Sequence, residues 1–226
     1  MRTVPENPAL LDLKSRLFQK YYRGVNRIPY MPSQYNYNIT ASKSHKFLWY
    51  RVAKVCTRTI FHHFKEKDVC LDAEHPSFIH YSPRNFDGYF KFAFVRNPWD
   101  RLVSCWLNKV IGINYFHFNK TNLEKMKCFG NFVHFVSKLD LENCDRHLCL
   151  QSRLIDLNNI DFLGRFEKFK EDFLYVCQRL EIPAGPIKAR NVSAGKKKYS
   201  EYYDVVLIEL VSQIYKKDIQ IFGYHF

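Results

Sequence analysis

Two short segments of this 226-residue chain gather the kinds of side chain that grip phosphate. The first runs Arg51-Val52-Ala53-Lys54-Val55-Cys56-Thr57-Arg58-Thr59-Ile60. It stands where an apolar stretch ends and a helix marked by Ile60, Phe61 and Phe64 should begin. Such a turn aims several backbone N–H groups and a helix N-terminus at one point, which suits an anion. Lys54 adds a point charge, Arg58 a fork of donors, and Thr57 and Thr59 add hydroxyls. An ordinary strand-to-helix turn with basic residues on its surface has the same composition. The G-x-x-x-x-G-K-S/T spacing of a Walker A loop is absent.

The second segment is Phe94-Val95-Arg96-Asn97-Pro98-Trp99-Asp100-Arg101-Leu102-Val103-Ser104. Arg96 closes an apolar run, and Ser104 follows eight residues later, in the second turn of the expected helix. A guanidinium at a strand edge and a hydroxyl from the next helix can converge on one phosphate. Taken singly, Arg96 reads equally as a helix-cap or carboxylate partner. Ser104 alone reads as a small residue that lets helices pack closely.

The elements around these segments follow from periodicity. Phe47-Leu48-Trp49-Tyr50-Arg51-Val52 reads as a strand, and Tyr89 to Val95 as a second, almost continuously apolar, as a strand covered on both faces should be. Phe78-Ile79-His80-Tyr81 reads as a shorter strand between them. Asn97, Pro98 and Asp100 supply an N-cap, a first-position proline and a first-turn acid. Trp99, Leu102, Val103, Trp106, Leu107 and Val110 then recur at helical spacing. Three later helices are marked by Phe132 to Leu139, by Phe166, Phe169, Phe173, Cys177 and Leu180, and by Tyr203, Val206, Leu207, Leu210, Val211 and Ile214. Between the last two lies a basic loop, Pro183 to Lys198. A short helix over Asn7 to Tyr22 and an irregular arm over 23–46 precede the strands. Strands alternating with helices indicate one α/β domain over 47–226, a P-loop-like central parallel sheet flanked by helices, after an N-terminal helix and arm over 1–46.

Composition narrows the partners. Hydrophobic residues make up 46% and aromatics 17%, so the chain folds, and disorder is excluded as its main state. A formal charge of +13 favours anionic partners such as nucleotides, acidic polysaccharide or nucleic acid, without choosing among them. A basic surface that only maintains solubility is the plainer alternative. Seven Cys lack a repeated C-x-x-C pattern, and Cys144, His147 and Cys149 have no fourth zinc ligand at a recognisable spacing. No apolar run approaches the ~20 residues of a membrane span, and no signal-peptide core is visible. Sequons at Asn38, Asn119 and Asn191 are compatible with a secretory lumen.

Together the two phosphate segments resemble the sulfotransferases that use 3′-phosphoadenosine 5′-phosphosulfate (PAPS). Ala53 to Thr59 looks like their 5′-phosphosulfate loop, usually P-K-x-x-S/T-x-S/T. Phe94 to Ser104 resembles their 3′-phosphate segment. The nearest group is the carbohydrate sulfotransferases of the chondroitin and dermatan type, with bacterial relatives. Asp161 to Glu167 and Tyr215 to Tyr224 are similar to late segments of that group. Ala53 stands where proline is usual, and Cys56 where a small residue is usual, which predicts a looser loop.

The resemblance implies in-line transfer of a sulfuryl group from PAPS to a hydroxyl, with a glycan the expected acceptor. Lys54 would stabilise the leaving bridging oxygen. Cys56, Thr57, Arg58 and Thr59 would hold the 5′-phosphate, Arg96 and Ser104 the 3′-phosphate, and Lys198 would close over the nucleotide. His80 is the expected general base, with His62, His63, His75 and Glu74 as further candidates. No metal is expected, nor nucleic acid as a partner. A bacterial cytoplasm is the expected compartment, or a Golgi lumen if an anchor has been removed. Two rivals belong to other classes: a P-loop kinase, and a non-catalytic binder of nucleic acid or heparin-like polymer. The missing Walker spacing speaks against the first. Aromatics that follow helix and strand periods, as core residues do, speak against the second.

Overall fold

A computed structural model describes residues 37–72, 86–185 and 197–226. In chain order the elements are β1 (Ile39–Ser42), β2 (Phe47–Tyr50), α1 (Thr57–Glu66), β3 (Phe90–Val95), α2 (Pro98–Trp106), a π-helical turn (Leu107–Gly112), α3 (Lys120–Met126), α4 (Phe129–Val136), β4 (Phe162–Arg165), α5 (Phe169–Arg179), α6 (Val205–Ile214) and α7 (Lys216–Phe222). Short 3-10 turns occupy Ser152–Leu154, Phe166–Lys168 and Tyr199–Tyr202. The architecture is α/β: a four-stranded, mostly parallel sheet with helices. The expected helix over Asn7 to Tyr22 and the expected strand at Phe78 to Tyr81, with His80, lie outside the described residues. Two compact units are distinguished. Among the described residues, one draws on 37–52, 56–72, 86–95 and 154–185, the other on 53–55, 96–153 and 197–226.

The first unit holds the whole sheet, in the order β1-β2-β3-β4. β2, β3 and β4 run parallel, with Trp49 opposite Phe92 and Phe94 opposite Gly164. Because β3 is an inner strand, its residues are buried on both faces except for the half-buried Lys91, which explains the almost continuous apolar run. Phe47, Trp49, Phe92 and Phe94 share one face. They pack on α1 through Phe61 and Phe64 and on α5 through Phe169 and Phe173. Gly164 is a packing requirement, since a Cβ there would overlap the Phe94 ring. The stretch expected to be an irregular arm ends in β1, which pairs antiparallel with β2. Its Asn38, the first sequon residue, is only 2% exposed, which removes it as a glycan site in the folded chain.

In the second unit the expected long helix after β3 is divided. α2 stops at Trp106 and the chain widens into the π-helical turn, where Tyr115 N–H donates to the Lys109 carbonyl at 2.7 Å. Of the apolar stripe, Trp99, Leu102, Val103, Trp106 and Val110 are buried as their spacing predicts, while Leu107, where the π-helical turn begins, is only half-buried. A second stripe, Arg101, Cys105 and Lys109, is buried as well. In α6 only Leu207 and Val211 are buried. Val206, expected on the inner face, is 65% exposed.

Candidate active site

The loop from β2 to α1 has an unusual backbone. Lys54 (φ 71°) and Cys56 (φ 45°) both take the left-handed conformation that L-residues other than Asn and Asp rarely adopt. Cys56 is the residue that caps α1, and the amides of Thr59 and Ile60 donate to its carbonyl at 2.9 and 3.1 Å. The first amides of any α-helix have no carbonyl of their own helix to serve, and the first turn of α1 contains no acid to compete for them. The Thr57 hydroxyl donates to the Val52 carbonyl at 3.3 Å. Lys54, Cys56 and Thr57 are half-buried, Arg58 is exposed and Thr59 is buried.

At the end of β3 the backbone is relaxed. The Asn97 side chain accepts from the amides of Trp99 and Asp100 at 3.0 and 3.5 Å, with Pro98 at the first helical position. The capping motif read from the sequence is therefore present. Arg96, 5% exposed, lays its guanidinium along the first turn of α2. Nε and Nη2 both meet Asp100 Oδ2, at 2.8 and 2.7 Å, and Nη1 donates to the Lys54 carbonyl at 3.1 Å. This last contact, inside one unit, joins the two segments singled out in the sequence. Arg96 is thus also a carboxylate partner, the plainer of its two sequence readings. Ser104 lies one helical turn beyond Asp100 and is half-buried.

Three further residues hold this arrangement, and sequence reasoning missed all of them. Gln151, fully buried, accepts from the Arg96 amide at 3.0 Å and donates to the Arg96 carbonyl at 2.8 Å. Asp218 of α7, also fully buried, accepts from the amides of Gln151 and Ser152 at 2.6 and 2.9 Å. Arg101 donates to the carbonyls of Ala53, Cys149 and Arg146 at 3.1, 2.9 and 3.0 Å. It therefore clips the lysine loop to the 146–149 turn. The loop that lacks its proline is held instead by carbonyl contacts from Arg96 and Arg101. A polar residue at helical spacing reads as exposed, so only the partners of Arg101 reveal its role. The likeness of Tyr215 to Tyr224 to a family segment was the one signal pointing toward Asp218. Tyr215, fully buried, donates from its hydroxyl to the Leu148 carbonyl at 2.7 Å, tying the same two regions together.

Electrostatics follow the burial. The Cys105 thiol is pushed up to about 12 by burial, opposed by the charges of Lys54 and Arg101. Burial likewise drives Cys149 up to about 11 and Cys144 up to about 12, so neither is a ready thiolate. His63, a secondary candidate base, is buried in α1 with its Nε2 3.6 Å from the Cys177 sulfur. Desolvation first, then Lys67, depresses its pKa. His62 pairs with Glu66 at 3.0 Å along the same helix. Lys198 is exposed, and its amide donates to Glu201 at 2.8 Å at the head of a 3-10 turn. Among the described residues no group of His, Cys, Asp and Glu is arranged to hold a metal ion. Among the same residues no helix is long and apolar enough to cross a membrane.

Comparison with known proteins adds three findings. A model described as "Sulfotransferase family" matches residues 37–225. Carbohydrate sulfotransferase 14 of Danio rerio is 27% identical over 117 residues, covering 42% of this chain and 31% of the relative. Carbohydrate sulfotransferase 9 of Homo sapiens is 33% identical over 117 residues, covering 42% and 26%, and an uncharacterized protein of Archaeoglobus fulgidus is 28% identical over 103 residues, covering 43% and 72%. The chain thus spans a third or less of the two carbohydrate sulfotransferases it matches. No solved structure matches.

Proposed function

Since the chain belongs to the sulfotransferase family, we propose that it transfers a sulfuryl group from PAPS to a hydroxyl of a carbohydrate acceptor. The observation that carries this reading is the 3.1 Å bond from Arg96 to the Lys54 carbonyl, which joins the residue assigned to the 3′-phosphate to the loop assigned to the phosphosulfate. The donor set fits the ligand: cations, hydroxyls and helix-start amides suit a nucleotide bearing separate 3′- and 5′-phosphates. The likeness to two carbohydrate sulfotransferases supports a glycan as acceptor.

In this reading Arg96 and Ser104 hold the 3′-phosphate, the group that distinguishes PAPS from ATP. The Thr57 and Thr59 hydroxyls, with the amides of Cys56 to Arg58 and the side chain of Arg58, hold the 5′-phosphate, the Thr59 amide being engaged by the Cys56 carbonyl. Charge builds on the bridging oxygen as the sulfur–oxygen bond breaks. Lys54 beside that oxygen stabilises the transition state more than the ground state. Lys198 borders the nucleotide, and a histidine takes the acceptor proton, His80 being the residue the sequence expectation names for that role. The domain so defined covers 47–226.

Radiolabelled PAPS incubated with a panel of glycans, lipids and small alcohols tests the assignment. Label should pass to a glycan and persist in excess EDTA, since the proposed chemistry uses no metal. Label transfer from ATP in its place, abolished by EDTA, would identify a kinase. Binding with steep salt dependence and no preference for the nucleotide over AMP would identify a polyanion binder.

A further inference from the structure

A second cluster of reactive groups lies in the unit that holds Lys54 and Arg96. The Asp145 carboxylate accepts from both the amide and the Nδ1 of His147, at 2.9 and 2.7 Å, through the same oxygen. Its other oxygen accepts from the Tyr115 hydroxyl at 3.2 Å. Tyr115 in turn packs edge-on against the His147 ring, centroids 4.9 Å apart, and carries Lys109 over its face at 4.0 Å. A carboxylate can only accept, so the proton of neutral His147 sits on Nδ1 and the lone pair on Nε2. An acid that fixes the tautomer and orientation of an imidazole, leaving the far nitrogen basic, is the arrangement used to build a general base.

Two observations place this dyad beside the lysine loop. Arg101 bonds at once to the Ala53 carbonyl, one residue before Lys54, and to the carbonyls of Arg146 and Cys149, which bracket His147. Lys109, on the same buried stripe as Arg101 and Cys105, stands over the Tyr115 ring whose hydroxyl bonds Asp145. Resting on the sulfuryl-transfer reading, we propose that His147, oriented by Asp145, is the base that takes the proton from the acceptor hydroxyl. As the acceptor oxygen bonds to sulfur, its proton passes to Nε2. The bond from sulfur to the bridging oxygen breaks, its electron pair stays on the nucleotide, and 3′-phosphoadenosine 5′-phosphate leaves. The imidazolium then returns its proton to solvent.

The charge balance around the ring suits the task. Burial lowers the His147 pKa, Asp145 raises it, and Lys109 and Arg146 lower it further, with a net shift below the ordinary value. The ring is therefore neutral, and able to accept, at neutral pH. Burial raises the Asp145 pKa, but hydrogen bonds from His147 and Tyr115 outweigh it and keep the group ionised.

The test uses the full chain and two readouts: binding of 3′-phosphoadenosine 5′-phosphate by calorimetry, and consumption of PAPS, with water or glycan as acceptor, from pH 5 to 9. His147→Asn, whose amide can still donate to Asp145, should lose on the order of a hundredfold or more in turnover. Nucleotide binding should change less than about threefold, and the acid limb of the pH profile should vanish. Asp145→Asn removes the anion that supports the imidazolium, so its acid limb should move to lower pH, which a merely structural pair would not produce. Wild-type turnover with an intact acid limb in His147→Asn, or a comparable collapse confined to His80→Ala, overturns the base assignment and leaves the sulfotransferase reading standing. A wild-type chain that neither binds the nucleotide nor consumes PAPS overturns both.

Discussion

At the end of β2 the chain turns through Lys54 and Cys56, both in the left-handed region. At the end of β3 it turns through Asn97, capped, followed by proline and a first-turn acid. Both turns follow parallel strands and lead into helices, yet one places two non-glycine residues in the left-handed region and the other places none. Each left-handed non-glycine residue costs about 1–2 kcal/mol. Such geometry persists only where surrounding contacts over-determine it. Here the contacts come from the relaxed end: Arg96 holds the Lys54 carbonyl and Arg101 the Ala53 carbonyl. The lesson is a division of labour. A well-capped strand end anchors two arginines, and those arginines hold a loop whose own sequence does not favour its conformation.

Substitutions can break that comparison at either end. The largest effect is expected from Lys54→Ala, which should lower turnover on the order of a hundredfold to a thousandfold while PAPS affinity falls much less. Equal losses in both, measured by steady-state kinetics and calorimetry, would reduce Lys54 to plain phosphate binding. Asp218→Ala should come next. It leaves the buried amides of Gln151 and Ser152 without their acceptor and should cost about 3 kcal/mol in urea unfolding. Unchanged stability would show that the relaxed end does not need its distant support. Arg96→Ala should weaken nucleotide binding roughly tenfold to a hundredfold, and it should also loosen the loop, seen as faster amide exchange at residues 53–56. Binding loss without loop loosening would separate the two roles of Arg96. The smallest effect is expected from Cys56→Gly. Relief of left-handed strain offsets the added chain entropy of glycine, for a change in stability within about 1 kcal/mol, most readily detected as a shift in melting temperature.

Much of this was legible in the residues. The cap at Asn97 and Pro98 is a local motif, so its three or four residues announced it. Tyr89 to Val95 read as a strand covered on both faces because burial on both faces leaves no polar alternation, and the strand observed is Phe90–Val95. The edge strand β1 was not legible, since Ile39–Ser42 has only four residues and follows an arm rich in Asn and Tyr. The π-helical turn leaves no trace in hydrophobic spacing alone. Arg101, Gln151 and Asp218 were invisible for one shared reason. Their partners lie 45 to 67 residues away in sequence, and nothing local marks a polar residue as buried. Lys54 and Arg96 were singled out by their motifs, whereas the bond between them could come only from the three-dimensional structure. His80 lies outside the described residues, and His147 was read only as part of an incomplete zinc pattern.

The widened turn at Leu107–Gly112 has a consequence for protein engineering. A π-turn carries one residue more than an α-turn, so deleting a single residue there is an edit the helix can absorb by reverting to ordinary winding. The cost falls within the turn itself: Lys109 lies inside it, and tighter winding would move that side chain relative to the Tyr115 ring it covers. A one-codon deletion would thus act as a dial on the relative orientation of two side-chain groups, without altering the chemistry of either.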